Sequence, residues 1–338
     1  MANIFPSFVQ VNPSLMLPET LIQYTQASGA FDLLAGGDPM VRLGEGDLYV
    51  YAKKLEMRTK VAAGQSAYNS LPSATVVASQ ISTPTYLVRT RAEYDHHDTA
   101  AAGKWGISLP EAQRLAMRQG IWQQMRAGLL YGFQPAQGEG LINTAGATAV
   151  NLPADSNGNT TVVTYDNGQM AFFLLGVISA IKTRTMSLGQ PARIVITGPQ
   201  RVLGSWEYQG IVQLTQFQRV GAGTANIANT VELNTMGDTV EWTYDDTLIG
   251  KGAGGNDAII VVIPELKVPQ GGRINTNAFA TLTPNMAATT LQLCDMAAPR
   301  EIPTPLPGGA VDVLSELRTT SGWGVRPEAI TIVSMQYQ

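Results

Sequence analysis

The sequence predicts an α+β fold, built from one long amphipathic helix, a long basic hairpin and a mixed α/β remainder. Three observations carry this. Residues 109–131 form a well-marked helical stretch, opened by Ser108, Pro110 and Glu111. Residues 48–95 alternate like two long strands around a small, polar loop. Charged residues make up only 14% of the 338-residue chain while hydrophobic ones make up 44%; soluble domains ordinarily carry roughly 25% charge. That balance excludes a disordered chain, which needs high charge and little apolar content. Low charge also weakens the repulsion that keeps proteins monomeric, so the composition suits a chain packed against copies of itself.

Residues 1–47 read as an arm. Pro6, Pro13, Pro18 and Pro39 interrupt any long element, yet Ile4, Phe5, Phe8, Leu15, Leu17, Leu21, Ile22, Phe31, Leu33 and Leu34 need burial. A helix is expected over 19–27, after Pro18. In the hairpin, Tyr49 and Tyr51 share a face, as do Tyr86, Val88, Thr90, Ala92 and Tyr94, with Leu87, Arg89, Arg91 and Glu93 opposite. Six basic residues against three acidic ones give 48–95 a net charge of +3. A two-stranded ribbon is at best marginal alone in water, so it needs a partner surface. Candidate contacts are Lys53, Lys54, Arg58, Lys60, Tyr68, Arg89 and Arg91.

In the helix, Ser108 and Glu111 suggest a capping box, and Ala112, Leu115, Trp122, Met125 and Leu129 a buried stripe. A second helix is expected over 169–186, with Asp166 as N-cap and Lys182 and Arg184 near its C-terminus. Strands follow at 192–197, 239–244, 258–263, 310–318 and 329–337, with a short helix after Pro199. Residues 231–267 are acidic, with two basic and seven acidic side chains.

No motif points to catalysis. Cys294 is the single cysteine, which excludes an intrachain disulfide and a cysteine zinc site. The two histidines stand side by side in Asp95-His-His-Asp98, read as a polar strand end; on a strand they would face opposite ways, unsuited to one metal. His-Glu-x-x-His and Gly-x-Ser-x-Gly are absent. The glycines of 250–257 lead into a strand and read as a hairpin turn, since phosphate loops place their amides at a helix start. Asp245-Asp246 reads as a solvated turn. No Lys or Arg precedes Arg42, so a secretory n-region is missing. The apolar stretch 170–181 is too short to span a bilayer. The expectation is a soluble, non-enzymatic protein made in a reducing cytoplasm, with no cofactor, no metal and no membrane.

The order of parts resembles the major capsid proteins of tailed bacteriophages, the Hong Kong 97-like fold shared with encapsulins. Leu129-Leu-Tyr-Gly132 followed by Gly138-Glu-Gly-Leu-Ile-Asn143 is similar to the family's passage from spine helix to axial domain. Arg318-Thr-Thr-Ser-Gly-Trp-Gly-Val-Arg-Pro-Glu-Ala329 is similar to its closing segment. The resemblance implies an N-terminal arm at 1–47 and an extended loop at 48–95. It implies a peripheral domain from 96–137 and 299–338, with spine helix 109–131, and an axial domain at 138–298. It further implies self-assembly as hexamers and pentamers, in the host bacterial cytoplasm, into an icosahedral virion capsid enclosing double-stranded DNA without sequence-specific binding. Because arm and hairpin use the residues before the spine helix, either this is a form from which a scaffolding segment has been removed or, the reading favoured here, scaffolding comes from a separate protein; a portal and a cement or decoration protein are the other partners implied. The alternatives are an encapsulin-like compartment, a phage tail or decoration protein, and an enzyme with a hidden site.

Overall fold

The computed structural model describes residues 28–34, 41–44, 46–59, 74–185, 191–208, 226–235, 237–265, 291–292, 294–295 and 300–338. A short 3-10 turn at Ala30–Leu33 precedes β1 (Val41–Arg42), β2 (Tyr49–Thr59) and β3 (Ala74–Tyr94). Helices α1 (His96–Lys104) and α2 (Leu109–Tyr131) follow, then β4 (Thr148–Asn151), α3 (Asn167–Arg184), β5 (Arg193–Gly198), α4 (Gln200–Tyr208) and α5 (Ile227–Asn234). The remaining strands are β6 (Thr239–Tyr244), β7 (Asp257–Val262), β8 (Leu291–Gln292), β9 (Cys294–Asp295), β10 (Arg300–Pro305), β11 (Val311–Thr320), β12 (Trp323–Gly324) and β13 (Ile330–Met335).

Two larger sheets result. The first runs β1-β9-β11-β3-β2, with β10 also on β11. The second runs β4-β13-β7-β5-β6, and its middle strands are buried on both faces. Along β7 and Ile263 the side chains alternate between two cores: Ile259, Val261 and Ile263 meet α3, α4 and α5, whereas Ala258, Ile260 and Val262 meet α2 and Ala30–Leu33. Burial on both faces explains why 258–263 is an unbroken apolar run, where a half-exposed strand would alternate.

Helix α2 has the expected bounds, but its details differ. Ser108 makes no side-chain cap bond. The buried stripe is Met117, Ile121, Met125 and Leu129, while Leu115 and Trp122 are about half exposed. Trp122 instead stacks on Phe31, with ring centroids 4.3 Å apart. Asp166 caps α3 as expected, accepting from the Gln169 amide. The histidines do not end a strand; they open α1, whose N-cap Asp95 accepts from the Asp98 amide. The glycines of 250–257 do not turn a hairpin, because β5 lies between β6 and β7. Asp245 is not solvated but buried. The expected helix 19–27 lies outside the described residues.

Both motifs that carried the resemblance converge on the end of α2. A helix leaves its last four carbonyls without helical partners. Here the Leu141 and Ile142 amides donate to the Leu129 and Leu130 carbonyls at 3.0 and 3.1 Å. The Gly322 amide donates to Gly128 at 2.9 Å, and the Asn143 side-chain amide to Tyr131 at 3.2 Å. Such close backbone approach leaves no room for a side chain: a Cβ on Gly322 would overlap the Leu129 carbonyl, and one on Gly140 the Tyr131–Gly132 peptide. The same junction gathers the chain's distant parts. β13, although within 299–338, lies between β4 and β7 of the second sheet, whereas β10 and β11 remain in the first.

Gly322→Ala is expected to cost about 1–3 kcal/mol through overpacking against backbone. Gly120→Ala, on an exposed turn of α2 with nothing near the new methyl, should stabilise by about 0.5–1 kcal/mol. Denaturant midpoints of the two variants should therefore move in opposite directions.

Candidate assembly surface

β3 extends over 21 residues, about 70 Å of strand, and changes partner midway. Residues 85–94 pair with β11, in register from Thr320 to Val311, whereas 74–84 pair with β2. The change falls at Pro84, which has no N–H to give a ladder. The base of the hairpin is clamped there. The Thr85 hydroxyl and Arg318 both donate to the Asp47 carbonyl, at 2.6 and 2.8 Å, and the Thr85 amide donates to Leu48 at 3.0 Å.

Beyond this clamp both outer edges of the ribbon are unpaired among the described residues, and of its described side chains only Thr83, next to the clamp, is buried. Residues 76–80 are exposed without exception. Leu48, Tyr49, Tyr51 and Val76 are each more than half exposed. An unpaired, partly apolar edge is a template for another chain, and a lone ribbon has too little buried area to hold its shape.

The candidate contact residues divide into two groups. Arg89 and Arg91 lie on the supported half of β3 and are matched within the chain: Arg89 meets Glu316 at 3.3 Å, and Arg91 meets Asp312 at 2.7 Å and Glu93 at 3.3 Å. The Asp312 hydrogen bond holds the Arg91 proton more firmly than usual. Lys53, Lys54 and Arg58 lie along β2, on the unsupported half; their side chains, with Lys60 and Tyr68, are outside the described residues. The charge divides the same way. Residues 85–95 are neutral, and the whole excess of +3 falls between 49 and 84. The charge count is readable in the sequence, whereas the pairing with Glu316 and Asp312, over 200 residues away, is visible only in the fold.

The acidic run 231–267 is mostly engaged within the subunit. Asp238 holds Lys182 at 2.8 Å, Glu241 holds Arg193, and Asp257 holds Arg201. Buried Asp245 accepts from the Thr247 amide and hydroxyl and from the Ser28 hydroxyl. Thr247 in turn accepts from Tyr131 at 2.7 Å, so one network joins the arm, the end of α2 and the loop after β6. Burial is the main reason the Tyr131 hydroxyl keeps its proton above the ordinary phenol range.

Arg193 completes the anchorage of the arm. Its guanidinium grips Glu241 at 2.6 and 3.0 Å and donates to the Leu34 and Asp32 carbonyls at 3.2 and 3.1 Å. The hydrogen bonds to Glu241 raise its proton affinity. Gly29 is needed beside it, since a Cβ there would overlap Thr243. The His96 and His97 rings lie 3.9 Å apart, tilted by 40°, and among the described residues no group of three or more His, Cys, Asp or Glu could hold a metal ion. No described helix is long and apolar enough to cross a membrane.

This architecture recurs among solved capsids. Aligned with the capsid of Myoviridae phage XM1, the chain gives a TM-score of 0.68 at 13% identity, over 97% of this chain and 98% of that one. The Hong Kong 97-like capsid fold is therefore the fold of this chain. The capsid fold is also shared with an empty GTA particle's capsid, at a TM-score of 0.56, 10% identity and coverage of 96% and 95%. Gordonia phage Cozz gives 0.53 at 16% identity, covering 97% and 93%. Residues 60–203 match the family model described as "Major capsid protein", so the chain is similar to the major capsid proteins of tailed bacteriophages in sequence pattern as well as fold. Among curated proteins, none matches.

Arg193→Met should free the arm while the sheets persist. Hydrogen exchange at the Asp32 and Leu34 amides, both bonded within the 3-10 turn, is expected to quicken at least tenfold. Exchange along β7 should not change.

Proposed function

We propose that the chain is a major capsid subunit, assembling as hexamers and pentamers into an icosahedral shell around packaged double-stranded DNA. The observation that carries this reading is the ribbon of β2 and the first half of β3, whose residues 76–80 are exposed and whose outer edges are unpaired among the described residues. Ordering a residue costs about 1–2 kcal/mol, and within the subunit the ribbon buries too little to offset that. Covering it with neighbouring copies would. Each contact would be modest, and closure would multiply them because each subunit is held from several sides.

The +3 of the ribbon would set orientation more than affinity, since exposed charges steer encounters and exclude wrong registers. Arg89 and Arg91, matched within the chain, would contribute less to this than Lys53, Lys54, Arg58 and Lys60. A separate scaffolding protein and a portal would complete assembly in the bacterial host, and the DNA would be held without sequence readout. The fold alone does not dictate function; the unsupported ribbon is an independent physical reason for assembly.

Reversing Lys53, Lys54 and Lys60 to Glu should abolish shells and capsomers in negative-stain images while leaving the subunit's circular dichroism unchanged. Normal shells from that variant would overturn the role given to the ribbon's charge. Nuclease-protected double-stranded DNA is expected inside wild-type particles from infected cells; cargo protein in its place would overturn the DNA-packaging reading and favour a protein compartment.

A further inference from the structure

On the face of the second sheet away from Ala30–Leu33, an open apolar groove of about 610 Å³ runs beside α3. Phe172, Phe173 and Val177 of α3 line it, with Val150, Pro153 and Tyr165 opposite. Phe172 is 77% exposed, an unusual position for a phenyl ring in a well-packed subunit. Gly176 lies in the groove wall, with nothing within 4 Å of where a Cβ would stand.

Among the described residues, one cation lines this groove. Arg184 donates to the Thr148 and Thr331 hydroxyls at 2.5 and 2.6 Å. Its Nε is buried without a hydrogen-bond partner, and no described carboxylate pairs with it. Burial lowers its affinity for its proton. The neighbouring cations are differently placed: Lys182, Arg193 and Arg201 each hold an acid. An apolar trough with one unmatched guanidinium is complementary to an aliphatic peptide bearing one carboxylate.

The chain contains such a peptide. Glu19 is the single charged side chain in residues 1–27, and it stands within Leu15-Met-Leu-Pro-Glu-Thr-Leu-Ile22. We propose that residues 15–22 of a neighbouring copy dock in this groove, with Glu19 paired to Arg184. The geometry favours a neighbour as the source. Glu19 is nine residues before Ser28, which is fixed to Asp245 just past β6, and nine extended residues span at most about 30 Å. The groove lies at the other edge, near β4, about 19 Å across the strands, and on the opposite face. A subunit's own segment would have to round the sheet and the helices on its far face within the span of those nine residues. The proposal rests on the assembly reading only for its source of a second copy.

The test uses a fluorescein-labelled peptide of residues 13–24 and the full-length chain carrying Glu19→Arg, which disables its own segment. Saturable binding by anisotropy is expected, weakened at least tenfold by Glu19→Gln in the peptide or Arg184→Met in the chain. Gly176→Leu, which fills the groove at a position where a side chain suits the helix, should abolish binding and guards against misfolding of the arginine variant. No binding, or binding indifferent to all three changes, would overturn the groove's assignment even if shells form. Binding by a chain that never assembles would keep the groove and overturn the capsid reading. Paired cysteines at Glu19 and Ala180, with Cys294→Ser, decide the source: disulfide-linked ladders support a neighbour, and a crosslinked monomer or no crosslink overturns it.

Discussion

One strand sets the terms for the rest of the molecule. β3 is continuous through Pro84, with half its length paired to β11 and half paired to β2 in a ribbon whose residues 76–80 are exposed. A strand cannot be stable on one side of such a boundary unless its base is fixed, and the Asp47–Thr85–Arg318 clamp does this. β11 holds the inner half in register with ten consecutive pairs, so the direction of the ribbon is determined by the folded body. A rigid base with a bare extension is what a subunit needs if its order is completed by copies of itself.

The second constraint is the end of α2. Its carbonyls are satisfied by two segments almost 180 residues apart, 141–143 and Gly322, and the glycines there permit contacts that any side chain would block. Through this junction the helix, both sheets and the buried arm segment form one core. Arg193 and Asp245 then hold residues 28–34 against the same core by polar contacts, so the arm leaves the body at a defined point. That fixed departure limits how far the arm can extend from the body.

Features governed by local chemistry were legible in the sequence. Helix 109–131 was readable from its opening turn and period, and α3 from Asp166. The alternating faces of 86–94 also agree with the exposure found there. Long-range features were not. Leu115 and Trp122 fit a helical stripe as well as Met117 and Ile121 do, and only the direction of the core decides between them. The placement of β5 between β6 and β7 has no local signature, so 250–257 looked like a hairpin turn. Asp95, three residues before Asp98, was a readable helix cap that the adjacent histidines obscured. Arg184 resembled an ordinary charge at a helix C-terminus, and its lack of an acidic partner among the described residues became visible only when strands β4 and β13 were in place.

The central claim is that the ribbon becomes ordered and covered by neighbouring copies. Hydrogen exchange on purified particles and on subunits dissociated from them measures this directly. The account predicts that amides 76–82 exchange freely in the dissociated subunit and become protected by at least a hundredfold in the particle, while β7 is protected in both. Particles in which those amides exchange as fast as in the free subunit would contradict it.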